Sequence, residues 1–253
     1  MKEDRYAKYG ASTGIVSVVL LVIGILIVAP TPPDIDAPVA EWSTYFVDHQ
    51  DAVNTAVVLV SVSLFFFLWF LGSLTSALRV AAGGPRLPSI AFAGGLLAAV
   101  FSFVASSAVA VAAHRPDEVS PELTRALNDV SLMAGVPAIA GFAALFGATA
   151  LVVLRTTLLP QWLGWLAGVA ALVQPLTFGV LFTDSGAFAA DGVLGLFVPF
   201  VLAIAAILAL SIALIQSAEE LNRNVGITDR VRGAVTGAAS GAASGVQGRP
   251  PTT

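Results

Sequence analysis

The residues of this chain that could bind a metal are two histidines and the carboxylates near them. His49 and His114 are the only histidines in the sequence, and each lies close to acidic residues between long apolar stretches. Imidazole and carboxylate groups bind Zn²⁺ and other divalent cations. One hypothesis is therefore a metal site formed by His49, His114, Asp48 and Asp129, which would make the protein a metal-dependent membrane enzyme. The spacing matches no metal motif such as HExxH, so only the tertiary fold could bring the two histidines together.

The carboxylates also have a simpler interpretation as helix-terminal groups. Asp51, Asp129 and Asp191 each stand where an apolar stretch begins. A carboxylate in that position accepts hydrogen bonds from free backbone N–H groups and complements the helix dipole. Capping explains why one of these carboxylates stands at the start of each of the second, fourth and sixth apolar stretches. A metal site does not explain this placement.

Other catalytic motifs are missing from the sequence. It has no GxSxG nucleophile motif and no Walker loop, and without cysteine it can form no disulfide and no thiolate site. The sequence therefore predicts a protein that is not an enzyme and that binds no cofactor.

A few polar residues inside the apolar stretches could line a cavity. Gln174 stands beside Pro175, and a proline within a helix leaves a backbone carbonyl without its usual partner. The predicted cavity residues are Gln174, Pro175, Ser102 and Ser106. The alternative is that Gln174 only hydrogen-bonds to a neighbouring helix. Coupling to protons or ions would require ionisable groups within the membrane, and the middles of these stretches contain none.

The elements that position these groups are six apolar stretches, each long enough to cross a bilayer, which takes about 20 residues. The chain is 57% hydrophobic and only 11% charged, unlike soluble domains. Backbone groups in hydrocarbon must be paired within the segment, so each stretch is predicted to be helical. The predicted fold is all-α, a polytopic transmembrane bundle over residues 10–216. The spans are placed at Gly10–Ala29, Val53–Leu74, Ile90–Ala112, Val130–Leu154, Trp162–Phe182 and Gly192–Ile215.

Small residues and prolines predict how the spans pack. Small side chains let helices approach closely in lipid, and they recur at Gly94, Ala98, Ser102, Ser106 and Ala110, and again at Gly164 and Gly168. We expect these residues to form seams within the bundle; a homo-oligomer is the alternative, but nothing indicates one. Kinks are expected at the three prolines within spans, which are Pro137, Pro175 and Pro199.

The basic residues predict the orientation. Of the 12 Lys and Arg residues, all but Arg115 and Arg125 lie on the side of the N-terminus. Basic residues concentrate in cytoplasmic loops, so both termini are expected to be cytoplasmic in a plasma-membrane protein. The net charge of −4 gives no support for nucleic-acid binding. The predicted partners are the lipid bilayer and other membrane proteins.

The segments outside the spans are also assigned from their composition. Residues 1–9 form the cytoplasmic N-terminus, and short loop helices are expected near 37–50 and 121–129. The first helix is expected to be capped by Asp36, with Val39, Trp42 and Phe46 on one face and with Trp42 and Tyr45 at the membrane interface. The second is expected to be capped by Ser120 and to begin at Pro121, either as a separate loop helix or running on into the fourth span. Residues 217–232 form a polar cytoplasmic segment, and the Gly/Ala/Ser tail 233–253 is too poor in large apolar residues to fold.

Three sequence segments together resemble a known group of proteins. They are FFFLWFLGSLTSALR (residues 65–79), LPQWLGWLAG (159–168) and TDSGAFAADGVLG (183–195). The set is similar to actinobacterial six-span integral membrane proteins of unassigned function. This resemblance covers residues 10–216 and implies the six-span fold, but it brings no site residues.

Three classes of function remain open. The sequence favours an interaction or accessory protein of the membrane, because no span contains an ionisable group. A transporter or binder of an apolar or lipid-like molecule is the alternative, and a cavity that reaches Gln174 would favour it. The metal-dependent enzyme is the third class and depends on His49 and His114 meeting.

Overall fold

The structure is a computed structural model that describes residues 2–28, 32–34, 37–183, 186–189 and 192–218. These residues form helices joined by short turns, and no strand occurs among them. Six of the described helices are long and apolar enough to cross a membrane, as the sequence predicts. Asp36, Asp191, the segment 219–232 and the tail 233–253 lie outside the described residues.

The helices follow one another up and down the bundle with short connections. Five of the spans have continuous bounds: α1 is Lys2–Val28, α3 is Gln50–Ala82, α4 is Arg86–His114, α5 is Pro121–Arg155, and α6 is Gln161–Val173 with a 3₁₀ extension, Gln174–Leu181. The sixth span opens with a π-helical turn, Val193–Phe197, and continues as α7 over residues 198–218. The short helix α2, Val39–Asp48, lies between α1 and α3.

The two ends of the bundle differ in their charged residues. At one end α3 finishes near Arg79, α4 begins at Arg86 and α5 finishes at Arg155. We call this the arginine end, and we call the opposite end, where α2 lies, the α2 end. The sides of the bundle expose large apolar side chains, for example Trp69, Trp165 and Leu172, as contact with lipid requires.

The predicted small-residue seams pack within the chain. A Cβ at Gly94 of α4 would lie 2.6 Å from the carbonyl oxygen of Gly141 in α5, so the two backbones touch. In the same way Gly164 of α6 lies against Leu154 of α5. Close approach without side chains between the helices increases the dispersion contact that holds helices together in lipid.

The three prolines within spans have different effects. The α-helix gives way to a 3₁₀ helix at Gln174 and Pro175, and the π-helical turn Val193–Phe197 ends just before Pro199. Both changes of helix type fit the missing N–H of proline. In contrast, α5 passes through Pro137 as an uninterrupted α-helix.

Helix α2 packs over part of the α2 end of the bundle. Its buried residues are Trp42, Tyr45 and Phe46, and they cluster with Val53 of α3 and Ala112 of α4. The structure buries the rings of Trp42 and Tyr45 against the bundle, and their predicted position at the membrane interface stays a prediction. The rings are buried because the ends of α3, α4 and α5 leave an apolar surface that the aromatic face of α2 covers.

The start of α5 confirms one predicted cap and corrects another. Ser120 is the N-cap, and its Oγ accepts a hydrogen bond from the backbone N–H of Leu123 at 3.3 Å, with Pro121 in the first turn. Because this helix already begins at Pro121 and runs unbroken to Arg155, Asp129 does not lie at a helix N-terminus and cannot cap one. Asp51 lies in the first turn of α3, where it complements the dipole without being the N-cap.

Packing is dense at the arginine end and loose towards α2. The fully buried side chains of Phe70, Leu74, Phe146 and Leu210 belong to one core cluster in the half of the bundle near the arginine end. A second, smaller cluster lies under α2. Between the two clusters the spans leave a cavity that side chains do not fill.

Candidate functional site: two cavities in the helix bundle

A central cavity of about 240 Å³ lies among the spans. All six spans border it, with residues such as Val18 of α1, Phe67 of α3, Ala99 of α4, Phe142 of α5, Thr177 of the 3₁₀ extension and Ile204 of α7. None of the described residues around it is charged. Ligand sites have this composition, with mostly apolar walls and a few polar groups that fix orientation.

The polar groups at the central cavity also join the helices. Ser63 of α3 donates a hydrogen bond to the carbonyl oxygen of Ser17 in α1 at 2.8 Å, and the two hydroxyl oxygens are 3.2 Å apart. Gln174 donates from Nε2 to the carbonyl oxygen of Pro199 at 3.2 Å, and its side chain is buried. Both sequence interpretations of Gln174 therefore apply, because it bonds to the neighbouring span and borders the cavity.

The four predicted cavity residues do not all meet. Gln174 and Ser102 border the central cavity, and the Ser102 hydroxyl donates to the carbonyl oxygen of Ala98 at 2.9 Å. Ser106 lies one helical turn further along α4 and borders a different cavity. Pro175 is exposed and does not border the central cavity, so the prediction for this residue is wrong.

A second cavity of about 270 Å³ lies directly beneath α2, and we call it the α2 cavity. Trp42, Tyr45 and Phe46 form its cover, and residues of α1, α3, α4 and α5 form its walls. Val60 of α3 borders both cavities, so the two are neighbours along the bundle. The indole Nε1 of Trp42 is buried and has no hydrogen-bond partner among the described residues.

Two of the four residues of the predicted metal site, His49 and Asp129, have other side-chain contacts. The His49 ring stacks on Tyr45 with centroids 4.8 Å apart, and its Nδ1 lies 3.1 Å from the Tyr45 carbonyl oxygen. His114 ends α4, where its backbone carbonyl accepts a hydrogen bond from Gln50. Asp129 is 3.8 Å from Arg125, and Asp48 is exposed at the last residue of α2. Within the described residues, no three histidine or acidic side chains come together as metal ligands would.

Sequence reasoning missed several residues of the two cavities. Ser17 and Thr177 border the central cavity, and Asn128 and Ser131 border the α2 cavity. Their only sequence signal is a polar side chain within or next to an apolar stretch, which does not distinguish a cavity wall from a helix contact. The sequence assigns Trp42 to a loop helix. Its place at a cavity depends on how that helix folds back onto the ends of the spans.

Comparison with protein-family models, with curated proteins and with solved structures finds no match to this chain. The resemblance to actinobacterial six-span membrane proteins therefore stays a prediction.

Proposed function

We propose that this membrane protein binds an apolar or lipid-like molecule in its central cavity. The observation that carries the proposal is a cavity of about 240 Å³ that all six spans border and that is lined mostly by apolar side chains. A bundle that served only as an anchor or an interaction surface would have no need for such a cavity, since dispersion contacts favour closed packing.

The walls of the cavity determine what it can hold. Apolar cavities of about 150 Å³ inside proteins stay dry and accept molecules such as benzene. This cavity is larger, and a charged ligand would leave its hydration shell without finding a charged partner among the described lining residues. We therefore propose an uncharged ligand with a large apolar part, such as a section of an acyl or isoprenoid chain.

The position of the dense core supports binding in preference to conduction. Phe70, Leu74 and Phe146 are fully buried between the cavity and the arginine end. These side chains fill the bundle on that side, which supports binding within the cavity in preference to passage through to the arginine end.

The membrane and orientation follow as part of the same proposal. We propose a plasma-membrane protein with both termini in the cytoplasm, which places the arginine end inside and α2 outside. The support is the distribution of basic residues, since Arg79, Arg86 and Arg155 stand at the arginine end while Arg115 and Arg125 stand at the α2 end. In this orientation the central cavity lies near the middle of the spans and the α2 cavity lies on its outer side.

A matched pair of glycine variants tests the proposal. Gly135 borders the central cavity, whereas Gly72 of α3 does not, and a Cβ at either would meet no atom within 4 Å. A photoactivatable hexadecane is the probe, with the full chain held in lipid nanodiscs. We expect Gly135→Leu to reduce labelling of residues around the cavity about tenfold and Gly72→Leu to leave it unchanged.

A second variant covers the case in which the leucine of Gly135→Leu points away from the cavity. Ala99→Leu fills the cavity from α4, because Ala99 is buried and borders it. If the wild-type cavity takes no label, or if both filling variants take as much as the wild type, the cavity is not a binding site. Thermal unfolding of each variant separates the loss of binding from the loss of the fold.

A further inference from the structure

The two cavities lie on one line along the bundle. On α1 the central cavity is bordered by residues up to Leu21, and the α2 cavity by residues from Gly24 onwards. On α3, Val60 borders both cavities. On α4 the boundary between the two cavities lies between Ser102 and Ala105. The four helices α1, α3, α4 and α5 thus form walls that continue from one cavity into the next.

The length of this column suits an extended molecule. From Val53 to Phe67 the wall formed by α3 covers 14 residue steps, which at about 1.5 Å each is roughly 21 Å. The hydrocarbon core of a bilayer is about 30 Å thick, so the column reaches most of the way through it. The two volumes together fall within the range of roughly 300–1,000 Å³ that small-molecule sites occupy.

The α2 cavity is bordered by several hydrogen-bonding groups that have no partner among the described residues. Trp42 is only 6% exposed, and its Nε1 donor has no partner among the described residues. Ser106, Asn128 and Ser131 border the same cavity, and none of their side chains hydrogen-bonds to a described residue. Buried donors in native proteins are nearly always paired, so an unpaired indole beside a cavity indicates a missing acceptor.

The charged side chains near the α2 cavity do not border it and make contacts outside it. No described residue that borders it is charged. The nearest basic side chain on α5, Arg125, donates to the carbonyl oxygen of Ala37 at 2.8 Å and lies 3.8 Å from Asp129. A neutral polar group would therefore be matched by this cavity, whereas a phosphate or carboxylate would lack a cation to pair with.

We propose that the ligand is an uncharged single-chain amphiphile, such as a long-chain alcohol. Its hydroxyl or carbonyl oxygen accepts the Trp42 Nε1 hydrogen bond beneath α2, and its tail extends past Val60 into the central cavity. This inference rests on the proposed function, because it requires the central cavity to bind an apolar chain. It adds a head-group site, a direction of binding and the class of the ligand.

The test uses hexadecanol carrying a photoactivatable diazirine either beside the hydroxyl or at the far end of the chain. With the full chain in nanodiscs, the first probe should label α2 and α4 around Trp42 and Ser106, and the second should label the region of Gln174. Unlabelled hexadecanol should compete better than hexadecane or palmitate.

Trp42→Phe should weaken hexadecanol binding about five- to tenfold, the effect of one hydrogen bond, and leave hexadecane binding unchanged. Trp162→Phe, at an exposed tryptophan of α6, is the control.

The outcomes separate the head-group site from the proposed function. If hexadecane and hexadecanol bind equally and Trp42→Phe changes neither, the head-group site is wrong while binding in the central cavity stands. Reversed labelling by the two probes, or the tightest binding by palmitate, would overturn the direction or the neutral head group. If neither hexadecane nor hexadecanol binds, both proposals fail together.

Discussion

Gly94 and Gly141 pack backbone to backbone where α4 crosses α5. A Cβ placed on either residue would lie 2.6 Å from the carbonyl oxygen of the other. That distance is shorter than real Cβ contacts, and the obstructing atoms are backbone atoms, which cannot rotate away. The absence of side chains at these two positions therefore sets the distance between α4 and α5.

We predict that Gly94→Ala destabilises the bundle in spite of the higher helix propensity of alanine. Overpacking at a tight contact costs about 1–3 kcal/mol, whereas alanine regains about 1 kcal/mol of helix propensity. The melting temperature in detergent should fall. The control is Gly147→Ala on α5, where a Cβ would have its nearest contact 3.8 Å away, at Ala171. Equal stability of the two variants would contradict the prediction.

The hydroxyl pair Ser17 and Ser63 provides a second test, because it joins α1 to α3 at the edge of the central cavity. Ser63 donates to the Ser17 carbonyl oxygen and lies 3.2 Å from the Ser17 hydroxyl. Such bonds within membrane bundles contribute on average about 0.6 kcal/mol, with a maximum of about 1.7 kcal/mol. We expect Ser63→Ala to lower the unfolding free energy by that amount. Ser76→Ala is the control, since its exposed hydroxyl bonds only within α3, to Gly72.

Comparing the unfolding free energies of Ser17→Ala and Ser63→Ala shows which of the two contacts matters. The hydroxyl–hydroxyl contact is lost in Ser17→Ala, but the carbonyl acceptor remains. We therefore expect Ser17→Ala to cost less than Ser63→Ala. If Ser17→Ala is the more harmful variant, the Ser17 hydroxyl has a role beyond this pair.

The six spans and their seams could be predicted because each depends on local composition. A stretch of about 20 apolar residues has few alternatives to a membrane helix, and glycine or alanine at every fourth position indicates close packing. The N-cap at Ser120 was predictable for the same reason, since the serine, the proline and the helix start are adjacent in the sequence.

The two cavities could not be predicted from the sequence. Whether Ser102 packs against a neighbour or borders a hollow depends on the distances among six helices, which no local pattern determines. This explains why the sequence favours an interaction or accessory role, which stays a prediction, while the structure supports binding. The place of Trp42 depends in the same way on α2 folding back over the ends of α3, α4 and α5.

The buried amide of Gln174 leads to a third prediction. It donates to the Pro199 carbonyl oxygen at the point where two spans depart from α-helical geometry. Gln174→Leu puts a branched apolar side chain of similar size in place of the amide and removes the donor, so we expect a loss of about 0.5–1.5 kcal/mol of stability. Because leucine removes one of the polar groups from the wall of the cavity, hexadecane should bind more tightly. Measuring unfolding and hexadecane labelling on the same samples checks both effects, and weaker labelling would contradict the second.

The contact between Arg125 and Ala37 determines how firmly α2 covers its cavity. The guanidinium of α5 donates to the carbonyl oxygen of Ala37 at 2.8 Å, just before α2 begins at Val39. Arg125→Met keeps the apolar stem and removes the donors. We expect the free energy that protects α2 from local opening to fall by about 1–2 kcal/mol, which makes amide exchange in α2 roughly five to thirty times faster.

Exchange in the other helices tests whether that effect is local. Since Arg125 contacts the segment before α2, amides of α3 and α5 in the bundle should exchange at their wild-type rates. Arg115→Met is the matched control, because its ion pair with Glu118 is largely exposed at 3.4 Å and contributes little. If α2 covers the entrance to the α2 cavity, Arg125→Met should also speed both the association and the release of hexadecanol. Faster exchange with unchanged ligand kinetics would show that the ligand enters between the spans, from the side of the bundle.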